Sequence, residues 1–471
     1  MKSYRVFMGM LIALALVAVS SVQAQNPFSK WKFGEVNFDP PRPERFVLSN
    51  GLVVYFLPDQ QLPVVTMSAI IRAGEAYVAP GKSGLGGIVG EALVTGGTKS
   101  RTPDQVDEQL EYLGIRWEGT VGMESAEFSM QCLSKDYSTA LGLLADLLVN
   151  PGFEQSRLQL TIDNTLEDLR RQNDSPGRII RREFNRLVYG DHPYGRTPSE
   201  KSLSGITRTD VDAFYRSYFH PNATILAISG DLEPAALKSS LEKAFAAWGK
   251  GEAPSLTIPD PTPPARGVYQ IEKDISQTNL RFGHLGIDRH NPDRHAVRIL
   301  NHILGGGGFT SRMMGKVRSD SGWAYSVGTA FTTADKPGLF LATCQTKTET
   351  TTKALALMQW VIEDVQKNGI KEDELTTAKE SIINSDVFNF DTPVEVVENY
   401  AWQEYHGFPA DQMKLDIAAV RAVTRADIEA AARKYLDPSK YVILAVGKIG
   451  EFDTPLSKFG VVQTVLLEET P

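Results

Sequence analysis

The sequence predicts an α+β chain of two homologous strand-and-helix domains of about 200 residues each, joined by a proline-rich linker. Three observations carry that reading. The first is an internal repeat. Ile206-Thr207-Arg208 matches Val423-Thr424-Arg425 at an offset of 217, which also pairs Asp210 with Asp427, Tyr218 with Tyr435, Pro221 with Pro438, Gly230 with Gly447 and Gly152 with Gly369. Nearer the start, an offset of 211 pairs Ile88 with Ile299, Leu93 with Leu304 and Gly97 with Gly308. A slow drift of offset with element order kept is hard to obtain by chance. The second is residues 249–267, GKGEAPSLTIPDPTPPARG, dense in proline and glycine with little apolar periodicity, as in a linker. The third is the opening ERFVLSNGLVVYFLPD, where apolar residues flank Asn50-Gly51, a strong hairpin signal.

The elements follow in order. Residues 1–24 read as a secretory signal: Lys2 and Arg5 form a basic start, an apolar run covers Phe7–Val19, and small residues end at Ala24. That run is short for a bilayer span. Residues 25–43 read as an extended arm, 44–248 as the first domain, 249–267 as the linker, 268–457 as the second domain and 458–471 as a tail. In the first domain VVTMSAIIRAGEAY continues as a buried strand. Ser83–Thr98, SGLGGIVGEALVTGGT, spaces its apolar residues as a helix. Thr102 and Pro103 start another helix. WEGTVGMESAEFSMQCL alternates like paired strands; helical patterns cover 134–149, 154–173, 176–189 and 208–218, and ATILAISGD is a buried strand.

Composition excludes several classes. Removing the signal takes the net charge from −8 to −10, so nothing electrostatic favours nucleic acid or an anionic membrane surface. No later apolar stretch is long enough to insert in a membrane. Cys132 and Cys344 read as apolar core positions in separate domains. No G-x-S-x-G is present, and Gly315-Lys316 is followed by Val317 with Thr310 where a P-loop has its first glycine. The histidines His284, His290, His295 and His302 cluster in sequence and read as solvated or core-edge side chains.

The Ser83 helix, the DHPYGR loop and above all the stretch HAVRILNHILGGGGFTSRMMGKVRSDSGWAYSVGT resemble the pitrilysin-like family of metallopeptidases, which includes insulinase and the mitochondrial processing peptidases. The likeness spans roughly 44–457 and implies two halves facing each other across a cavity. In that family the first-domain helix carries His-x-x-Glu-His, whose imidazoles bind zinc and whose glutamate is the general base. Here Gly87, Gly90 and Glu91 stand at those positions, so the helix is kept and its chemistry is gone. The family's third ligand, an acid 77 residues past the second histidine, corresponds to Asp168, which without the imidazoles reads as a surface acid. A cation shared by Glu91 and Asp168 would have oxygen ligands alone, suited to magnesium or calcium rather than zinc.

The resemblance also implies roles in the second domain. Arg318 and Tyr325 have the spacing of a family pair that reaches the substrate at the zinc site. A guanidinium and a phenol hydroxyl are donors able to stabilise an oxyanion. Gly305, Gly306, Gly307 and Gly308 admit close backbone approach, by a neighbouring element or by an extended peptide. Some family peptidases divide these features between two chains. This chain looks like the kind that lacks the zinc motif and keeps the Arg/Tyr pair. The expectation is a periplasmic, non-zinc-binding subunit that binds no cofactor itself. Its partner would be a homologous zinc-bearing subunit and its substrate a peptide or unfolded protein. The alternative is a silent peptide-binding or assembly protein.

Overall fold

A computed structural model describes residues 39–252 and 257–468. The signal and most of the arm lie outside the described residues. The described residues form two six-stranded sheets. The first contains β1 (Glu44–Val47), β2 (Val53–Pro58), β3 (Val64–Ile71), β4 (Arg116–Val121), β5 (Ala126–Leu133) and β6 (Thr224–Gly230), in the order β1-β2-β6-β3-β5-β4. The second contains β7 (Gly267–Glu272), β8 (Gln277–Leu285), β9 (Ala324–Phe331), β10 (Leu339–Lys347), β11 (Val442–Gly447) and β12 (Val462–Thr464), in the order β12-β7-β11-β8-β10-β9. In each, one internal pair is parallel, β2 with β6 and β7 with β11, and the strands from there to the β4 or β9 edge are antiparallel. The repeat in the sequence is thus a repeat of topology.

The sixth strand breaks the symmetry. In the first sheet β1 comes from the hairpin, antiparallel to β2, with Gly51 taking the left-handed φ of +88° in the turn. In the second, β12 runs parallel to β7 and comes from the far end of the chain. The segment 458–471, expected as a tail, therefore supplies an edge strand: Val462–Thr464 meets the backbone groups β7 leaves open.

Helices of the first half are α1 (Leu85–Thr95), α2 (Pro103–Leu113), α3 (Tyr137–Val149), α4 (Gln155–Arg170), α5 (Pro176–Tyr189), α6 (Glu200–Ser204), α7 (Arg208–Tyr218) and α8 (Pro234–Ala244). Those of the second are α9 (Arg294–Asn301), α10 (Thr351–Asn368), α11 (Glu372–Asp386), α12 (Pro393–Tyr405), α13 (Gln412–Ala422) and α14 (Arg425–Tyr435). The conserved offset now has a physical meaning. Thr207 caps α7 with Asp210, and Thr424 caps α14 with Asp427, by reciprocal side-chain-to-backbone hydrogen bonds.

The halves exchange one helix. α5 leaves the first half and buries Ile179, Ile180, Phe184 and Val188 against Val442, Leu444 and Val446 of β11. Each such side chain contributes about 1.5–3 kcal/mol when fully buried. Its repeat equivalent α12, 217 residues on, lies over β2 and β6 of the first sheet. Glu398 accepts a hydrogen bond from Ser68 Oγ at 2.6 Å, and Glu404 is held by Arg45 at 2.6 and 2.7 Å and by Tyr55 at 2.5 Å.

A buried polar knot completes the junction. Glu124 takes a hydrogen bond from Arg289 Nη2 at 2.6 Å, one from the Asp335 amide at 2.8 Å and one from the Tyr194 hydroxyl. Tyr405 Oη donates to the Glu124 carbonyl at 2.8 Å. The DHPYGR loop serves here, since His192 orders it by accepting from the Tyr194 amide. Cys132 on β5 and Cys344 on β10 are buried free thiols. Burial pushes them up to about 11 and about 12, so neither is a thiolate at neutral pH. No described helix is long and apolar enough to cross a membrane.

Candidate functional site

α1 packs beside the edge strand β4, and the two faces of the helix differ. Gly87 and Glu91, one turn apart, are exposed on one side. Gly90 is buried: a Cβ there would lie 2.7 Å from the Val121 backbone nitrogen. A Cβ on Gly86, one turn before it, would lie 2.7 Å from the Glu75 carboxylate and 3.1 Å from the Val121 side chain. The two glycines let the helix axis approach β4, so the place of the family's glutamate is filled by strand backbone as well as lacking a carboxylate. Asp168 is an exposed residue of α4 with no ion pair among the described residues, while Glu167 beside it pairs with Arg170 and Arg171. Among the described residues no group of three His, Cys, Asp or Glu side chains is placed to hold a metal. The donor set at Gly87, Gly90, Glu91 and Asp168 does not fit zinc, which requires about three nitrogen, sulfur or carboxylate ligands.

Two of the clustered histidines have polar partners, while the buried Nε2 of His302 has no hydrogen-bond partner among the described residues. His295 Nε2 lies 3.2 Å from Asp416, and His284 is tied between the Leu285 carbonyl and the Asp437 amide.

Arg318 and Tyr325 sit on the β9 side of the second half. Arg318 belongs to a π-helical segment, Met314–Asp320, that packs on β9, and Tyr325 is the second residue of β9. Tyr325 is 71% exposed. The Arg318 guanidinium lies 5.1 Å from the centre of the Phe309 ring, itself exposed, and forms no ion pair among the described residues. Arg312, six residues earlier, is different: it bonds Asp364 at 2.9 Å, Glu374 at 2.7 Å and the Gly369 carbonyl at 3.0 Å. One arginine is neutralised inside the fold; the other is half-buried over the Phe309 ring, with no carboxylate partner among the described residues.

The four glycines divide. A Cβ on Gly305 would lie 2.4 Å from the Thr329 nitrogen, so this residue brings the end of the helix against β9, as Gly90 does for α1 and β4. Gly306 and Gly308 are exposed, and Gly308 has a φ of +59°. They form the turn that presents Phe309.

The two halves meet across a cavity of about 580 Å³ between the first sheet and α12. Glu118 and Thr120 of β4, Glu127 and Ser129 of β5, Ser68 of β3, and Glu398, Asn399 and Trp402 of α12 line it. A second cavity of about 490 Å³ shares Asn399 and Trp402 and opens on the other side of α12 toward Arg289, Arg294 and Arg298. Sequence reasoning missed these linings. Alternate polar residues of a strand look like a solvated face until a helix from the other half is laid over them.

The family relationship follows from sequence matches on both halves. Residues 54–200 match the model of the insulinase family, peptidase family M16, and residues 205–382 match that of the peptidase M16 inactive domain. An uncharacterized zinc protease of Rickettsia felis is 27% identical over 295 residues, covering 62% of this chain and 71% of that one. An uncharacterized zinc protease of Bacillus subtilis is 21% identical over 350 residues, covering 73% and 83%. The crystal structure of a peptidase M16 inactive domain from Pseudomonas fluorescens superposes with a TM-score of 0.79 at 27% identity, over 86% of this chain and 98% of that one. A protease from Helicobacter pylori has the same fold, with a TM-score of 0.75 at 18% identity. The chain belongs to peptidase family M16, the insulinase family.

Proposed function

We propose that this chain is the non-zinc-binding subunit of a secreted, periplasmic zinc peptidase made of two different M16 chains. It binds no cofactor itself; the homologous partner holds the zinc. Arg318 and Tyr325 donate hydrogen bonds to the scissile carbonyl at the partner's metal, where they stabilise the oxyanion of a tetrahedral intermediate. A peptide or unfolded segment lies extended along a sheet edge, its main chain paired with the strand. The single observation that carries this reading is the contrast between α1 and β9. The zinc-motif positions Gly87 and Gly90 offer no ligand or base, while Arg318 has no carboxylate partner among the described residues and Tyr325 is exposed.

The experiment is a cleavage assay with this chain alone, an M16 homologue bearing His-x-x-Glu-His alone, and the two mixed, on an unstructured peptide pool. Cleavage confined to the mixture is the expected result. A homologue whose rate is unchanged by this chain would overturn it and leave a silent binding protein. Metal analysis of the purified single chain is expected to find no stoichiometric zinc.

A further inference from the structure

Arg281 lies on β8, two strands in from the β9 edge, in a row that crosses the sheet through Thr343 of β10 to Gly328 of β9. Its Nε is buried and has no hydrogen-bond partner. The guanidinium lies over the Phe184 ring of α5, 5.7 Å from its centre. Neither Arg281 nor the exposed Arg181 of α5 forms an ion pair among the described residues. Burial, with Arg181 adding a like charge, pushes Arg281 down to about 10.

The repeat shows what has changed here. The matching row of the first sheet runs from Ser68 through Ser129 to Glu118, and Ser68 pairs with Ala227 as Arg281 pairs with Leu444. There Ser68 Oγ donates to Glu398 on α12 at 2.6 Å. Arg181 is the residue 217 before Glu398, and Arg178 the residue 217 before Glu395. A satisfied hydroxyl–carboxylate contact in one half has become two cations without a counter-ion in the other. A half-buried unpaired cation is costly to the fold, so stability does not account for it.

We propose that Arg281, with Arg181 beside it, is a carboxylate-binding subsite that selects an acidic residue in the peptide held along the β9 edge. The proposal rests on the peptide-binding reading above. Gly328 carries no side chain and is bordered by the Gly305 carbonyl, while Thr343 and Arg281 are each only half-buried, so the row is partly accessible along its length. Two strand spacings, about 10 Å, separate β9 from β8, within the joint reach of an arginine and a glutamate. The planar guanidinium grips a carboxylate through two hydrogen bonds.

The test is calorimetric titration of the full chain with an uncharged ten-residue host peptide, acetylated and amidated, carrying one Glu at each position in turn and its Gln twin. At least one Glu peptide is expected to bind about tenfold tighter than its twin. That preference disappears in R281Q and shrinks in R181Q, while the Gln twins bind R281Q as they bind the native chain. R281Q is expected to melt at or above the native temperature, which an arginine serving structure would not do. Equal binding of all twins, or a preference that survives R281Q, overturns the proposal and leaves the peptide-binding reading standing. If neither kind of peptide binds, it is the peptide-binding reading that fails. N-acetylglutamate at fixed ionic strength then decides the anion site: a rise in melting temperature lost in R281Q supports it, and no rise refutes it.

Discussion

Gly90 of α1 lies against the backbone of Val121 on β4: a Cβ on Gly90 would stand 2.7 Å from the Val121 nitrogen, whereas one on Gly87 would meet nothing within 4 Å. Two glycines in one helix, both in positions of a lost motif, therefore have opposite reasons to be there. Gly90 is held by packing. Gly87 is not.

Gly87→Ala is expected to stabilise the protein by about 0.5–1 kcal/mol, because alanine restricts the unfolded chain and suits a helix. Gly90→Ala gains the same helix preference but forces α1 off β4, at a cost of about 1–3 kcal/mol. Urea midpoints of the two variants should move in opposite directions. A rise in both would sink the packing account. For the same reason G87H/E91H is expected to fold with near-native stability, and adding G90E to lower it.

Arg318→Ala and Tyr325→Phe are expected to cut the rate of the mixed peptidase by about two to three decades, the usual loss for an oxyanion donor. Their melting temperatures should stay near native, since Tyr325 is exposed and Arg318 has no ion pair among the described residues. Arg312→Ala is the control: it strands Asp364 and Glu374 and lowers stability. Native rates for both R318A and Y325F would remove the pair from the mechanism.

Removing the Glu124 carboxylate leaves Arg289 and the Tyr194 hydroxyl buried with fewer partners at the junction of the halves. Glu124→Ala is expected to destabilise by about 3–5 kcal/mol, read as a shift of the equilibrium unfolding curve. Because the knot ties Tyr405 and Asp335 of the second half to the first, the variant should also be cut by trypsin faster than the native chain.

The Arg45 hydrogen bonds hold the Glu404 carboxyl below the usual range; burial opposes them, and Tyr55 adds to them. A depressed carboxylate contributes stability above its unfolded pKa of about 4.3, and that contribution is lost as pH falls through the lower folded value. Stability is thus expected to fall below about pH 4.3, and E404Q to flatten that part of the curve. The pair is partly exposed, so the effect should stay under about 1 kcal/mol and weaken in salt. An identical acid limb in E404Q would show that Arg45 and Glu404 do not couple the halves.

Much of the molecule was legible because its signals are local. Pro176 starts α5, and α5 ends at Tyr189, as the pattern read. Asn50-Gly51 makes the β1–β2 turn, and Thr102 with Pro103 starts α2. What stayed hidden depends on elements far apart in sequence. Arg281 looks like one of several polar residues on a mixed strand until β10 and α5 surround it.

By itself the sequence determined two strand-and-helix repeats, the span of most helices and the absence of imidazoles from α1, because periodicity, caps and residue identity act within a few turns of chain. The tertiary structure decided which sheet each helix covers. α5 and α12 have apolar stripes that either sheet would accept, and only the packing of the whole chain sends each to the opposite half. That crossing closes the cavity beside Glu398 and places Arg181 beside Arg281, while the packing of α1 on β4 within the first half sets Gly90 against the Val121 backbone.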